Sequence, residues 1–130
     1  MKRAVMAVFL TAALGLPVAA LAAVGLQGTY KTKIGASVLG GRVKGTWTVT
    51  FKSPNYTIVD NGIAVVRGKY AVNGHVVTFH DKTGPAACPN PGTYLIALTG
   101  SKLKFARILD SNSKCAGREA VLAGSFTKVD

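Results

Sequence analysis

Val43-Lys44-Gly45-Thr46-Trp47-Thr48-Val49-Thr50-Phe51 decides the fold. Trp47, Val49 and Phe51 share one parity and Thr46, Thr48 and Thr50 the other. Successive side chains of a strand point to opposite faces, so this stretch is a strand with one apolar and one hydroxyl-bearing face. The same alternation recurs on both sides of it. Gln27 to Ile34 reads as a strand before it, with Leu39-Gly40-Gly41-Arg42 as the turn between. Tyr56 to Val59, Ile63 to Val72, His75 to His80, Thr93 to Leu98, Lys102 to Leu109 and Glu119 to Val129 read as six more. Ser53-Pro54-Asn55, Asn61-Gly62, Asn73-Gly74 and Thr99-Gly100-Ser101 punctuate them as turns, the Asn-Gly pairs supplying the positive φ of a tight hairpin. Asp81 to Pro91 is the longest loop, and Asp110 to Gly117 is a second with room for one helical turn. No helical periodicity is visible after Leu26.

Short strands joined by tight turns pair in sequence order. A flat eight-stranded meander would leave two edges and an apolar face in water; closure removes all three. The expected fold is therefore all-β, an eight-stranded antiparallel up-and-down barrel, with a two-sheet sandwich as the alternative. Trp47, Val49, Phe51, Tyr56, Tyr70, Phe79, Tyr94 and Phe105 are expected inside it.

The chain begins with Met1-Lys2-Arg3, an apolar run from Val5 to Leu16, the breaker Pro17 and Ala20-Leu21-Ala22. A positive start, an apolar core and small residues in A-x-A spacing are the order of a secretory signal peptide. Residues 1–22 are read as that leader and 23–130 as one domain, secreted or periplasmic, without stable membrane insertion after cleavage. Removing Lys2 and Arg3 lowers the formal charge from +11 to +9. Cys88 and Cys115, the two cysteines, then suggest one disulfide between two loops.

Gly45-Thr46-Trp47, followed by Gly68-Lys69-Tyr70-Ala71-Val72-Asn73-Gly74, Val77-Thr78-Phe79, Gly84-Pro85-Ala86-Ala87-Cys88, Gly92-Thr93-Tyr94, Leu103-Lys104-Phe105 and Asp110 with Cys115 and Arg118, resembles the small bacterial lipocalin-like (calycin-type) domains of exported proteins. The resemblance runs from about Gly28 to Val129. It implies an eight-stranded barrel with a binding role more often than a catalytic one. It departs from the family in one respect: the G-x-W motif falls on the second strand, and Gly28-Thr29-Tyr30 holds the first-strand place. The family's late basic residue, which packs on the tryptophan, is matched by position at Arg118.

The functional expectation is a non-catalytic barrel holding a small, partly apolar ligand against Trp47, Tyr70, Tyr94, Phe105 and Arg107. The ligand is anionic if Arg107 points inward, as its parity with Leu103 and Phe105 suggests. Plain core filling is the competing reading for the aromatic residues, and a bulge turning Arg107 outward, or its pairing with Asp110, the competing reading for that side chain. Asp110 and Arg118 flank one loop and are read as a structural ion pair. The alternative function is a secreted protease inhibitor or adhesion module acting through the arm Ala23–Leu26 or the proline loop.

Fourteen basic residues in the mature chain also favour anionic envelope polymers as partners, although lysines on strands serve as guards against aggregation too. His75 and His80 differ in parity and cannot share a metal from one strand; no metal site and no cofactor is expected. No G-x-S-x-G occurs, and the five acids of the mature chain give no carboxylate pair, so the chain is not read as an enzyme. Its aromatics share the apolar parity, which leaves no stacking platform for specific nucleic-acid binding. A monomer is expected.

Overall fold

Eight antiparallel strands close into one barrel in the computed structural model, which describes residues 25–110 and 112–130. The leader reading over residues 1–22 and the start at Ala23 lie outside the described residues. The strands are β1 (Gly28–Ile34), β2 (Gly45–Lys52), β3 (Asn55–Asp60), β4 (Ile63–Asn73), β5 (Val76–Thr83), β6 (Gly92–Thr99), β7 (Lys102–Leu109) and β8 (Phe126–Lys128). Each pairs with the next, and β8 returns to β1. The up-and-down order follows from the turns. At Asn61–Gly62, φ angles of 49° and 89° make the two-residue hairpin that the dipeptide announces. The next tight turn falls one residue later than Asn73-Gly74, on Gly74 and His75, because Asn73 stays in the ladder opposite Val76.

Every second side chain turns inward. Eight rings, from Tyr30 and Phe51 through Phe79 to Phe105 and Phe126, form a continuous interior with centroids 5.1–6.4 Å apart, and all but one of these contacts are edge-to-face. The quadrupoles of aromatic rings favour that geometry over face-to-face stacking. Trp47 is the ninth buried aromatic and lies apart from the chain of rings, its Nε1 donating to the Val43 carbonyl at 2.7 Å. The sandwich alternative is excluded, since all eight strands belong to one closed sheet.

The last strand departs from expectation. Instead of a strand from Glu119 to Val129, the chain forms a 3-10 turn (Ser113–Cys115), helix α1 (Ala116–Leu122), and only then the three-residue β8. Arg118, Val121 and Leu122 are all buried, a spacing of three and four that defines a helix face and breaks strand parity. The turn is capped by Asn112, whose side chain accepts from the Lys114 N–H at 2.8 Å. Because β8 is short, it pairs with β7 only at Lys102 and Leu103, and with β1 only at Tyr30 and Lys31. Helix α1 packs against β7 beyond that point and covers this end of the barrel with Val121 and Leu122.

Candidate functional site

Two aspartates and one arginine meet under helix α1. Asp81 lies on the inward face of β5, in parity with Val77 and Phe79 and opposite Gly68; directly after it a bulge leaves Lys82 extra between the pairs Gly68–Asp81 and Arg67–Thr83. The backbones approach so closely that a Cβ on Gly68 would lie 2.2 Å from the His80 carbonyl oxygen, so this position requires glycine. The Asp81 side chain then points inward and is 1% exposed. Its Oδ1 accepts from the Tyr56 hydroxyl and its Oδ2 from the Cys88 N–H at 2.8 Å.

Asp110 follows β7 and is fully buried. Its carboxylate accepts from the Tyr94 hydroxyl, from Arg118 Nε at 2.9 Å and from Arg118 Nη2 at 2.8 Å. This two-pronged contact matches the fork of a guanidinium to the two oxygens of a carboxylate. Nη2 also donates to the Asn90 carbonyl at 2.7 Å. Nη1 faces Asp81 Oδ1 at 3.5 Å without making a hydrogen bond. Among the described residues it is the one buried side-chain polar atom left without such a partner.

Burial works against the charge on Arg118, but its bond to Asp110 and the fields of both aspartates outweigh it and hold its pKa above the ordinary value. Burial first, and then the bonds to Asp81 and Asp110, push the Tyr56 and Tyr94 hydroxyls far above the ordinary phenol range. A tyrosine held neutral in the fold but free to ionise when unfolded stabilises the fold fully below pH about 10, and that contribution is lost as pH rises beyond it. We therefore expect the barrel to unfold cooperatively in alkali above pH about 10, with tyrosinate absorbance rising in step with the loss of far-ultraviolet circular dichroism. Early, non-cooperative ionisation of all four tyrosines in folded protein would contradict the buried pairs.

Cys88 and Cys115 are joined as a disulfide, Cα atoms 5.2 Å apart, tying the loop of residues 84–91 to the start of α1. Their sulfurs and an Asp110 oxygen are the one trio of metal-type donors within 4.8 Å of one another among the described residues. Metal binding needs thiolates, which the bonded sulfurs do not supply.

A cavity of about 250 Å³ opens against this cluster. Trp47, Ile58, Val66, Val121 and Leu122 give it apolar walls, Asp60, Asp81 and Arg118 contribute polar ones, and Arg42 and Lys114 border it near the surface. Of the five residues expected to line a pocket, Trp47 lines this cavity, and Tyr70 borders a separate depression beside Leu26. Tyr70 is packed on Phe51 and donates to the Leu26 carbonyl at 2.6 Å; Tyr94 serves the aspartate cluster; Phe105 belongs to the ring interior. Arg107 does pair opposite Tyr94, yet its guanidinium is half exposed and bound to Glu119 of α1 at 3.1 Å. Arg118, Asp110 and the disulfide sit beside the cavity.

Asp81, Asn90, Val121 and Leu122 were not singled out from the sequence. Asp81 carried a signal, since it shares parity with Val77 and Phe79. No protein-family model matches this chain, and neither a curated protein nor a solved structure matches it.

Proposed function

We propose that the chain is an extracytoplasmic, non-catalytic binding protein of lipocalin-like type. It holds a small, mostly apolar, uncharged molecule carrying one acceptor oxygen in the cavity beneath α1. The observation that carries this reading is the apolar cavity bordered by Arg118, whose Nη1 is a buried donor without a hydrogen bond. A cavity of roughly 150 Å³ lined by aliphatic residues accommodates benzene, so the larger volume here suits a molecule of one or two rings.

Asp81, Asp110 and Arg118 together carry an excess negative charge in a water-poor site, which disfavours a second anion beside them. Arg107, on which an anionic ligand depended, is committed to Glu119. The remaining polar groups of the cluster are held in ion pairs or hydrogen bonds, an arrangement suited to positioning rather than to proton transfer. A disulfide agrees with an exported protein.

The test uses cyclohexanone, cyclohexanecarboxylate and cyclohexylamine, with the fluorescence of Trp47, the sole tryptophan, as readout. Cyclohexanone is expected to bind at least about tenfold more tightly than the two charged analogues, a difference of about 1.4 kcal/mol. Gly117 lies in α1 on the cavity wall, where an added Cβ meets nothing within 4 Å. Gly117→Leu should therefore occupy the cavity, abolish that binding, and raise helix stability by up to about 1 kcal/mol. Equal binding to the wild type and Gly117→Leu, or no binding of any of the three, would sink the proposal.

A further inference from the structure

Cations gather on the outer wall beside the bulge in β5. Arg67 and Lys69 alternate with buried Val66, Gly68 and Tyr70 along β4, and Lys82 is the extra residue of β5 beside them. With Asn55 and Thr57 they line a depression of about 220 Å³ on the outer wall. The rows across the sheet extend it. Lys52 pairs with Asn55, Asn55 with Lys69, and Lys69 with His80, while Thr50 pairs with Thr57 and Thr57 with Arg67. Lys69 Nζ approaches the Asn55 side-chain oxygen at 3.4 Å.

No acid offsets this face. Asp81 and Asp110 are buried with Arg118, Glu119 is bound to Arg107, Asp130 accepts from the Thr29 N–H at 2.8 Å, and Asp60 lies at the far end of β3 beside the cavity. Among the described residues, Lys52, Arg67, Lys69 and Lys82 take part in no ion pair. Guarding a sheet edge does not account for them all, because Arg67 and Lys69 stand on a strand hydrogen-bonded on both sides.

The geometry points to this wall as a binding surface for an anionic polysaccharide, with Lys52, Arg67, Lys69 and Lys82 meeting sulfate or uronate groups and Asn55, Thr57 and Thr50 bonding sugar hydroxyls. Charge complementarity selects a polyanion. All nine aromatic side chains of the described residues are buried, so single-stranded nucleic acid finds no ring on which to stack its bases. Tyr56 borders the depression but is only 1% exposed, so no large apolar side chain is free to insert into a lipid surface. This surface is separate from the cavity and does not rest on the ligand proposed for it.

Heparin, polygalacturonate, neutral dextran, single-stranded DNA and anionic lipid vesicles are the probes, applied to the mature protein at about 0.15 M salt. Heparin or polygalacturonate should bind, dextran should not, and affinity should fall steeply as salt rises. Arg67→Glu/Lys69→Glu should weaken polysaccharide binding at least about tenfold, whereas Lys102→Glu/Lys104→Glu, with the same change in net charge on β7, should weaken it less than about threefold. Thermal melts confirm that each variant folds. If the glutamate pair does not fold, Arg67→Gln/Lys69→Gln should give the same ordering. Equal losses in the β4 and β7 variants would reduce the effect to net charge and overturn the proposal. So would tighter binding of DNA or vesicles than of either polysaccharide, or no polysaccharide binding at this salt.

Discussion

Arg118→Met is expected to destabilise the barrel by about 3–5 kcal/mol, measured by urea unfolding followed through Trp47 fluorescence. The substitution leaves two carboxylates, 0% and 1% exposed, without their shared cation. It also removes the donor from the Asn90 carbonyl, which anchors the loop of residues 84–91. Most of the loss is the cost of stranded charge rather than the worth of the ion pair. Adding Asp81→Asn and Asp110→Asn to Arg118→Met should therefore recover a large part of it. Arg118→Lys should recover little, because one ammonium cannot fork onto Asp110 and also reach Asn90 and Asp81. A loss below about 1 kcal/mol for Arg118→Met would mean that water reaches the aspartates and that the cluster is not closed.

The barrel was legible because its information is local. From Gly28 to Leu109 each strand has one face toward the interior and one toward water, so parity alone sorts Trp47, Val49 and Phe51 from Thr46, Thr48 and Thr50. Asn61-Gly62 adds a turn whose backbone few other dipeptides accept. Strand parity misleads where a segment is short and helical. Val121 and Leu122 are adjacent and both buried, which no regular strand of an up-and-down barrel permits, and with Arg118 they form one helix face. Seven residues give too short a window for helical periodicity to stand out, and the expectation of an eighth long strand filled the gap.

The site was less legible because its members come from distant parts of the chain. Asp81 on β5 and Asp110 just past β7 reach one guanidinium, and no local pattern records that meeting. Asp81 keeps the inward parity of Val77 and Phe79 up to the register shift at Arg67/Gly68, where Lys82 is the extra residue. A second shift, at Thr93/Tyr94, separates the pairs Thr93–Leu109 and Tyr94–Arg107 by one extra residue of β7, next to Asp110. Parity with Leu103 and Phe105 suggested an inward Arg107, but parity does not report how far along the barrel a side chain lies, and the guanidinium is half exposed against Glu119 of α1. The tyrosine hydroxyls followed a simpler rule: a buried phenol needs an acceptor, and Tyr56, Tyr94 and Tyr70 each found one.

Removal of the disulfide as Cys88→Ala/Cys115→Ala is expected to cost about 3–4 kcal/mol, the loop-entropy value for a ring closed by a sequence separation of 27. The mechanism predicts more than a lower midpoint. Without the bridge the unfolded chain is less constrained and exposes more surface, so the urea m-value should increase as well. Reduced wild type should behave like the double variant. The loss should also couple to the ion cluster, since the Cys88 N–H donates to Asp81 and Cys115 precedes the helix that carries Arg118. Combined with Arg118→Met, the two effects should fall short of their sum by about 0.5–3 kcal/mol, because each loosens what the other holds. Strict additivity, or a double variant within about 1 kcal/mol of wild type, would show that loop and helix stay docked through packing alone and that the bridge is not what keeps the cavity shaped.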